Sequence, residues 1–196
     1  MATTVEELIA RIKDKNDKVR AAAWQSAGNI GAAAVKPLAA VITDADVEVG
    51  RAAKRGLWAI VHHAGRPGAD DEKKPVVAAL AGLLDDGQPP AVRREALWML
   101  SEIGGDESVD PIAAILKDKE LREDARCALE RIPGDKSLAA LRAALDSVPA
   151  EFKLAVAQSL RTRGVAVDRQ KYPCQKLVPR KQTQVEPLAA DRGRTS

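Results

Sequence analysis

The chain has 196 residues and a net charge of +3; 45% of its residues are hydrophobic but only 3% are aromatic, so its core must rely on aliphatic and small side chains. No stretch reaches the ~18 apolar residues of a membrane span, and the N-terminus lacks the basic start and apolar centre of a signal peptide. The two cysteines lie in unrelated contexts, which favours a reducing compartment. Together these features predict a cytoplasmic protein with no membrane contact.

From near its start, the chain repeats one short phrase. Thr4 and Glu7 first form the pattern of a capping box, which predicts an opening helix. The phrase V-R-x-x-A, here called the valine phrase, then occurs in five related copies whose first residues are 30, 43, 29 and 31 positions apart. Those first residues are Val19, Val49, Val92, Leu121 and Phe152. Self-similarity at this period is typical of a solenoid, in which each repeat buries its apolar face against its neighbours.

A second phrase, K-P-L-A-A, alternates with the first and is here called the proline phrase. Its copies begin at Lys36, Lys74 and Asp110, and a copy without proline begins at Lys136. Proline is tolerated in the first turn of a helix, and apolar residues follow it at helical spacing. Each repeat is therefore predicted to be an outer helix with the valine phrase and an inner helix opened by the proline phrase. We predict an all-α fold, a right-handed α-solenoid of about five helix pairs.

The two phrases resemble HEAT-like repeats of the phycobilisome-lyase type over roughly residues 5–164. The resemblance implies a structural ladder formed by the arginine after the opening valine and by the acidic residue in the preceding turn. The ladder residues in this sequence are Arg20, Arg93 and Arg122, with the acids Asp17, Asp46, Asp86 and Asp118. We expect the acids to cap the helices that follow them. Gly50 stands where the second copy would have its arginine, which predicts an interruption of the ladder.

The 43-residue spacing predicts inserted loops. About eight extra residues fall between positions 62 and 71, and the rest fall within 85–90. Insertions in solenoids map to loops on one face, often the binding face, so we predict a candidate binding loop containing His62, His63, Arg66 and Asp70. A metal site is the alternative, but adjacent histidines on a helix point about 100° apart and make poor joint ligands. We favour a solvated loop and predict no metal and no cofactor.

Three tryptophans lie on the predicted outer helices. Trp24, Trp58 and Trp98 fall five, nine and six residues after the opening residue of their copies, so they do not form one stripe along the solenoid. Two interpretations stay open. We favour packing between repeats, and the alternative is an exposed anchor patch for a partner.

The end of the chain has a different character. Residues 1–164 carry 24 Lys and Arg against 25 Asp and Glu, whereas residues 165–196 carry 7 against 3 and show no helical period. We therefore predict a repeat domain over 1–164 and an extended basic tail over 165–196 that is ordered only against a surface. That surface belongs either to its own solenoid or to another chain. The candidate contacts are Tyr172, Leu177 and Val178, with the basic residues Lys171, Lys176, Arg180 and Lys181.

Three classes of function follow from these features. The sequence has no G-x-S-x-G, Walker-type glycine loop, CxxC or H-E-x-x-H motif, so we predict no enzyme but a scaffold or accessory subunit that binds a protein partner. The resemblance implies an alternative, a bilin lyase-like accessory that handles a chromophore. A DNA-binding protein is a third class, supported by basic residues around positions 13–20 and 51–55 but opposed by the net charge of −1 over residues 1–164. The oligomeric state stays open.

Overall fold

Ten α-helices follow one another along the described part of the chain. The structure is a computed structural model that describes residues 3–174, and these residues contain no β-strand. The helices are α1 (Val5–Ile12), α2 (Asp17–Ser26), α3 (Val35–Ala39), α4 (Val47–Ala64), α5 (Asp70–Ala81), α6 (Pro90–Ile103), α7 (Asp106–Ala114), α8 (Arg122–Arg131), α9 (Asp135–Ser147) and α10 (Ala150–Thr162). Two short 3₁₀ segments lie between α2 and α3, and one follows each of α5 and α7. The predicted capping box at Thr4 and Glu7 is present at the start of α1.

The helices alternate between two layers. The even-numbered helices α2, α4, α6, α8 and α10 pack side by side as a first layer, and the odd-numbered helices form a second layer beside it. The first layer contains all five valine phrases and therefore corresponds to the predicted outer helices. Helix pairs stacked in this way form an α-solenoid, so the predicted all-α repeat fold is confirmed. Within residues 3–174, no helix is both long enough and apolar enough to cross a membrane.

The last residue of each valine phrase determines how closely the helices approach one another. Four of these residues are alanines, and all five are at most 1% exposed: Ala23, Ala53, Ala96, Ala125 and Val156. The second layer fills the remaining space with larger side chains that are equally buried, namely Leu38, Leu80, Ile112 and Leu141. The first layer therefore contributes small buried side chains to the core and the second layer contributes larger ones.

Gly50 lies where the backbones come too close for a side chain. A Cβ atom at this position would lie 2.6 Å from the carbonyl oxygen of Ile42, which is nearer than real Cβ contacts come. The glycine that interrupts the predicted ladder is therefore required by the close approach of α4 to the end of the preceding repeat.

We expect Gly50→Ala to destabilise the fold by about 2 kcal/mol, because the added methyl group meets a backbone atom that cannot move aside. This direction opposes the usual gain of up to ~1 kcal/mol for alanine over glycine inside a helix. The matched control is Gly82→Ala, where the nearest atom is the flexible Lys36 Cε at 3.9 Å. Urea unfolding should show Gly82→Ala to be neutral or stabilising, and equal stability of the two variants would contradict the expectation.

Helices α5 and α7 begin earlier than the proline phrase predicts. Pro75 and Pro111 lie inside these helices, because α5 begins at Asp70 and α7 at Asp106. Both helices have acidic residues in the first turn, which interact favourably with the N-terminal end of the helix dipole. The prediction that the phrase opens the helix is therefore wrong for α5 and α7.

His62 and His63 lie in a helix rather than in the predicted binding loop. Helix α4 runs for 18 residues to Ala64, because apolar residues continue at helical spacing to its end and are buried there. Asp70 is the first residue of α5, so the connection spans only residues 65–69. Of the four residues assigned to the loop, only Arg66 lies in it. The insertion lengthens a helix because its residues extend the same buried face.

The first residues after α10 fold back onto the end of the solenoid. The Val165 amide donates to the carbonyl of Leu160 at 2.9 Å, and Val165 and Val167 pack against the core. Tyr172 is only 7% exposed, and the Arg161 guanidinium donates to its carbonyl oxygen. The predicted contact residue Tyr172 is thus buried within its own chain.

The other predicted tail contacts have different outcomes. The Lys171 ammonium lies 5.3 Å from the centroid of the Tyr172 ring. Five residues lie outside the described part of the chain: Lys176, Leu177, Val178, Arg180 and Lys181. The division of the chain at residue 164 and the partner role of the tail stay predictions.

Candidate binding groove on the first helical layer

The first ladder residue closes the turn between α1 and α2. Arg20 is 9% exposed and donates to the carbonyls of Asp14 and Lys15 at 2.7 and 3.1 Å. It also pairs with Asp17 at 2.5 Å. The N-cap of α2 is Asn16, which accepts from the Lys18 amide, so the prediction that Asp17 caps this helix is wrong. Asp17 instead occupies the first helical position, three residues before the arginine that it neutralises.

Arg93 and Asp118 join two successive repeats. The Arg93 Nε donates to the carbonyl of Leu84 at 3.2 Å, and its guanidinium pairs with Asp118 at 3.0 Å. Asp118 also accepts from the amides of Glu120 and Leu121 at 2.9 and 3.3 Å, in the turn before α8. The N-cap position of α8 is Leu121, so the prediction that Asp118 caps this helix is wrong. Burial opposes ionisation of Asp118, but the two amides and Arg93 outweigh it and hold the pKa of Asp118 below its ordinary value.

Because its pKa is lower in the folded state, Asp118 adds stability that is present above about pH 4 and is lost as the pH falls through the folded value. We expect Asp118→Asn to cost about 1 kcal/mol at pH ~7 and to weaken the loss of stability toward pH ~2. The measurement is urea unfolding across this range, with the exposed Asp146→Asn as control. The same pH dependence in both variants would count against this role.

Arg122, the third arginine of the predicted ladder, links α8 to α10. It pairs with Glu151 at 3.4 Å, and its guanidinium carbon lies 4.8 Å from the centroid of the Phe152 ring. This arginine therefore contacts the opening residue of the next valine phrase directly. The stacked geometry combines charge with apolar contact.

The other two predicted caps have opposite outcomes. Asp46 caps α4 as predicted, because its carboxylate accepts from the Glu48 amide at 2.9 Å. Asp86 does not cap α6, whose N-cap position is Pro89 and whose first residue is Pro90. A proline at the first helical position has no amide hydrogen, so the start of α6 has one donor fewer that a capping side chain would have to satisfy.

A polar cluster between α8 and α10 was missed by sequence reasoning. Arg126 donates to Glu130 at 3.0 Å and to the Ser159 hydroxyl at 2.6 Å, and that hydroxyl donates to Glu130 at 2.6 Å. Ser159 is fully buried. The spacing of Arg126 and Glu130 predicts a pair on one helix face, but nothing in the sequence identifies a serine 29 positions further on as the third member.

Arg163 binds the carbonyl groups at the C-terminal end of α8. Its guanidinium donates to the carbonyls of Leu129, Ile132 and Gly134 at 3.1, 2.9 and 2.9 Å. It thereby satisfies acceptors that the end of an α-helix leaves without partners. Both arginines are therefore used in structure, and their polar contacts are filled within the fold.

The residues of the predicted binding loop do not converge on one site. Arg66 binds Glu72 through two hydrogen bonds of 2.5 and 3.0 Å, and His63 Nε2 lies 3.3 Å from the same carboxylate. The hydrogen bonds from Arg66 hold the pKa of Glu72 below its ordinary value. His62 instead faces Trp58. No group of three or more potential metal ligands is present within residues 3–174.

A groove on the first layer does bring predicted residues together. This tryptophan groove, between α2 and α4, has a volume of about 590 Å³ and a mostly apolar surface. Its lining residues are Trp24, Trp58 and Ala59 with Arg51, Lys54, Arg55 and His62. The Arg55 guanidinium carbon lies 5.8 Å from the Trp24 ring centroid, and the rings of Trp58 and His62 are 5.5 Å apart. Each indole is therefore held by a neighbour that contacts its ring.

A smaller groove adjoins the first. This valine groove has a volume of about 240 Å³ and includes Ile42, Val47 and Ala91 among its lining residues. Arg51 and Lys54 line both grooves and form a cationic ridge between them. The two grooves thus form one surface across α2, α4 and α6. Val47 is 61% exposed, which is unusual for an aliphatic residue on a packed helix.

The three tryptophans differ in whether they pack between repeats or form an exposed surface. Trp24 and Trp58 are half-buried against the core and also line the groove, so they serve both packing and surface. Trp98 on α6 is 38% exposed, and its indole N–H donates to Asp124 at 3.0 Å. Trp98 does not line either groove.

Comparison with known proteins finds a similarity to HEAT repeats in the second half of the described chain. Residues 77–161 match the family model described as HEAT repeats. No protein with a curated description matches the chain. Among similar solved structures, two match over 81% of this chain. One is a designed armadillo repeat protein in complex with the peptide (KR)4; the match covers 81% of that protein, with 20% sequence identity and a TM-score of 0.42. The other is an engineered protein; the match covers 78% of that protein, with 24% sequence identity and a TM-score of 0.41. Similarities this distant say nothing about the partners of this chain.

Proposed function

We propose that this chain is a non-catalytic scaffold that binds a protein partner through the tryptophan groove and the valine groove. The observation that carries the proposal is that Trp24 and Trp58, from adjacent repeats, line one groove together with arginine and lysine side chains. Tryptophan and arginine dominate the binding energy of many protein interfaces, particularly where an apolar centre is surrounded by polar groups. The solenoid fixes the two helices that supply these side chains, so the surface is formed before a partner arrives.

The polar clusters support binding over catalysis. Arg126, Glu130 and Ser159 form mutual hydrogen bonds of 2.6 to 3.0 Å, and none of the three lines either groove. A catalytic site instead needs a titratable group poised toward a substrate cavity. The titratable groups of the tryptophan groove are basic, with no carboxylate or thiol among its lining residues.

The pairing of basic side chains favours protein over DNA as the partner. Lys13 pairs with Asp44 at 3.5 Å, and Arg20 pairs with Asp17. Arg51 and Lys54 pair with Glu48 and Glu95. A DNA-binding surface depends on many cations that together replace the counterions of several phosphates, and cations that alternate with carboxylates leave too little net positive charge for such a track.

The proposal also covers the type of repeat, the cellular location and the role of the chain in an assembly. We propose that the repeats are of the phycobilisome-lyase type and that the chain is a cytoplasmic accessory subunit of a larger assembly. The recurring valine and proline phrases support the repeat type. Cys127 and Cys174 are free thiols, which is compatible with a reducing compartment. No feature of residues 3–174 favours a bilin over a protein as ligand.

The test compares matched tryptophan variants in affinity capture from cells of the native host, read by mass spectrometry. We expect the full chain and Trp98→Ala to capture the same proteins and Trp58→Ala to lose them, because Trp58 lines the tryptophan groove and Trp98 does not. A labelled DNA duplex at about 50 mM salt should show no binding. Capture that is equal in all three proteins, or DNA binding that weakens steeply with salt, would overturn the proposal.

A further inference from the structure

We infer that the partner presents an acidic segment to the two grooves, with apolar side chains on both sides of one or two carboxylates. This inference rests on the proposed function and names the chemistry of the partner. It follows from the charge of the ridge, from the exposure of its side chains and from the order of the apolar and basic surfaces along the helices.

Arg55 offers a guanidinium beside Trp24 that can bind a carboxylate of the partner. Its guanidinium carbon lies over the Trp24 ring, 5.8 Å from the centroid, and no carboxylate within residues 3–174 forms an ion pair with it. This cation–π contact holds the guanidinium at the groove, and its fork of N–H donors fits a carboxylate with two parallel hydrogen bonds. The apolar ring below also lowers the exposure of this pair to water, which strengthens it.

The ridge supplies two further cations, and the present partner of Arg51 is easily replaced. Arg51 pairs with Glu48, and both side chains are more than half exposed. Exposed ion pairs of this kind contribute only about 0 to 1 kcal/mol, so a carboxylate from a partner can take the place of Glu48 without a large loss elsewhere. Lys54 pairs with Glu95, whose side chain is only 16% exposed, so this pair stays in place and Lys54 adds its charge beside it.

The two apolar surfaces lie on opposite sides of the ridge. The tryptophan groove offers two indole faces, which suit an aromatic or large aliphatic side chain. The valine groove offers Ile42, Val47 and Ala91, and its smaller volume suits an aliphatic side chain. Asp44 and Glu95 also line this groove, so it disfavours a carboxylate and leaves the acidic residues of the partner to the ridge and to Arg55. Since Arg51 and Lys54 line both grooves, a segment that fills both must place its acidic residues between its apolar ones.

The cations are too localised for a nucleic acid. Arg51, Lys54 and Arg55 lie within about one helical turn, or roughly 6 Å along α4. A phosphate backbone needs a track of cations over several nucleotides, whereas one or two carboxylates fit within this length.

The experiment selects binders from a displayed library of random peptides on the full-length protein. Enriched peptides are then synthesised, and their affinities are measured by fluorescence anisotropy. We expect them to be acidic, with an aromatic residue before or after the acidic positions and an aliphatic residue on the other side. Their affinity should fall at least tenfold in Arg55→Glu and Trp58→Ala, and it should weaken as salt is raised.

Two exposed positions outside the grooves provide controls. Trp98→Ala and Arg142→Glu remove the same side-chain types elsewhere and should leave the affinity unchanged, while circular dichroism verifies that all variants keep their helix content. Enrichment of basic or uncharged peptides, no enrichment, or acidic peptides whose affinity is the same in Arg55→Glu would each overturn the inference. If basic peptides are enriched but cellular partners still depend on Trp58, the proposed function stands and only the acidic chemistry is wrong.

Discussion

Ala125→Asp is expected to lower the free energy of unfolding by about 4 kcal/mol, because it places a carboxylate where no water and no partner can reach it. Ala125 is fully buried in α8, between neighbouring first-layer helices and the second layer. For a domain of this size, such a loss corresponds to a decrease in Tm of about 8 to 16 °C. Because each repeat is stabilised mainly by its neighbours, the loss should spread to α6 and α10.

The control is Ala139→Asp, which makes the same change at an exposed position of α9 and should cost less than about 1 kcal/mol.

A second measurement separates the effect of the charge from the effect of the size of the new side chain. Burial raises the pKa of the new carboxyl, so its penalty is full well above that pKa and shrinks as the proton binds below it. The difference between the two variants should therefore be smaller at about pH 4 than at pH 7. Equal Tm values at neutral pH would show that Ala125 does not lie at the interface between repeats.

The repeat fold could be predicted because its determinants are local and recur. The alanine of the valine phrase is buried in every copy that has it, since each copy occupies an equivalent place in the stack. The lengths of individual helices were less predictable. Spacing alone predicts a loop at His62 and His63, but an insertion that continues the buried face of a helix lengthens that helix.

The candidate groove could be predicted only in part. The sequence identifies Trp24 and Trp58 and the basic residues beside them. It does not indicate that the Arg55 guanidinium lies over a tryptophan ring of the preceding repeat, because that contact depends on how closely α2 and α4 pack. Gly50 illustrates the same limit: its spacing marks a missing arginine, and only the distance to the Ile42 carbonyl explains the absence.

Truncation after Gly164 is expected to destabilise the solenoid by about 2 to 4 kcal/mol. It removes Val165, Val167 and Tyr172 from the end of the core, where each buried aliphatic or aromatic side chain is worth ~1.5 to 3 kcal/mol before the cost of ordering the segment. It also leaves Arg161 without the Tyr172 carbonyl to which it donates. The terminal repeat of a solenoid needs a covered end, so we expect the shortened protein to aggregate on heating as well.

Truncation after Cys174 is the matched control, because it keeps every described contact of the segment with the solenoid. We expect this protein to unfold at the same temperature as the full chain, whereas the single change Tyr172→Ala in the full chain should reproduce part of the loss seen after truncation at Gly164. Affinity capture with the same proteins separates folding from binding. If the basic residues beyond position 174 contact a partner, truncation after Cys174 should reduce capture, most strongly at low salt, with no change in Tm. Full stability after truncation at Gly164 would show that residues 165–174 contribute nothing to the fold, despite the burial of Tyr172.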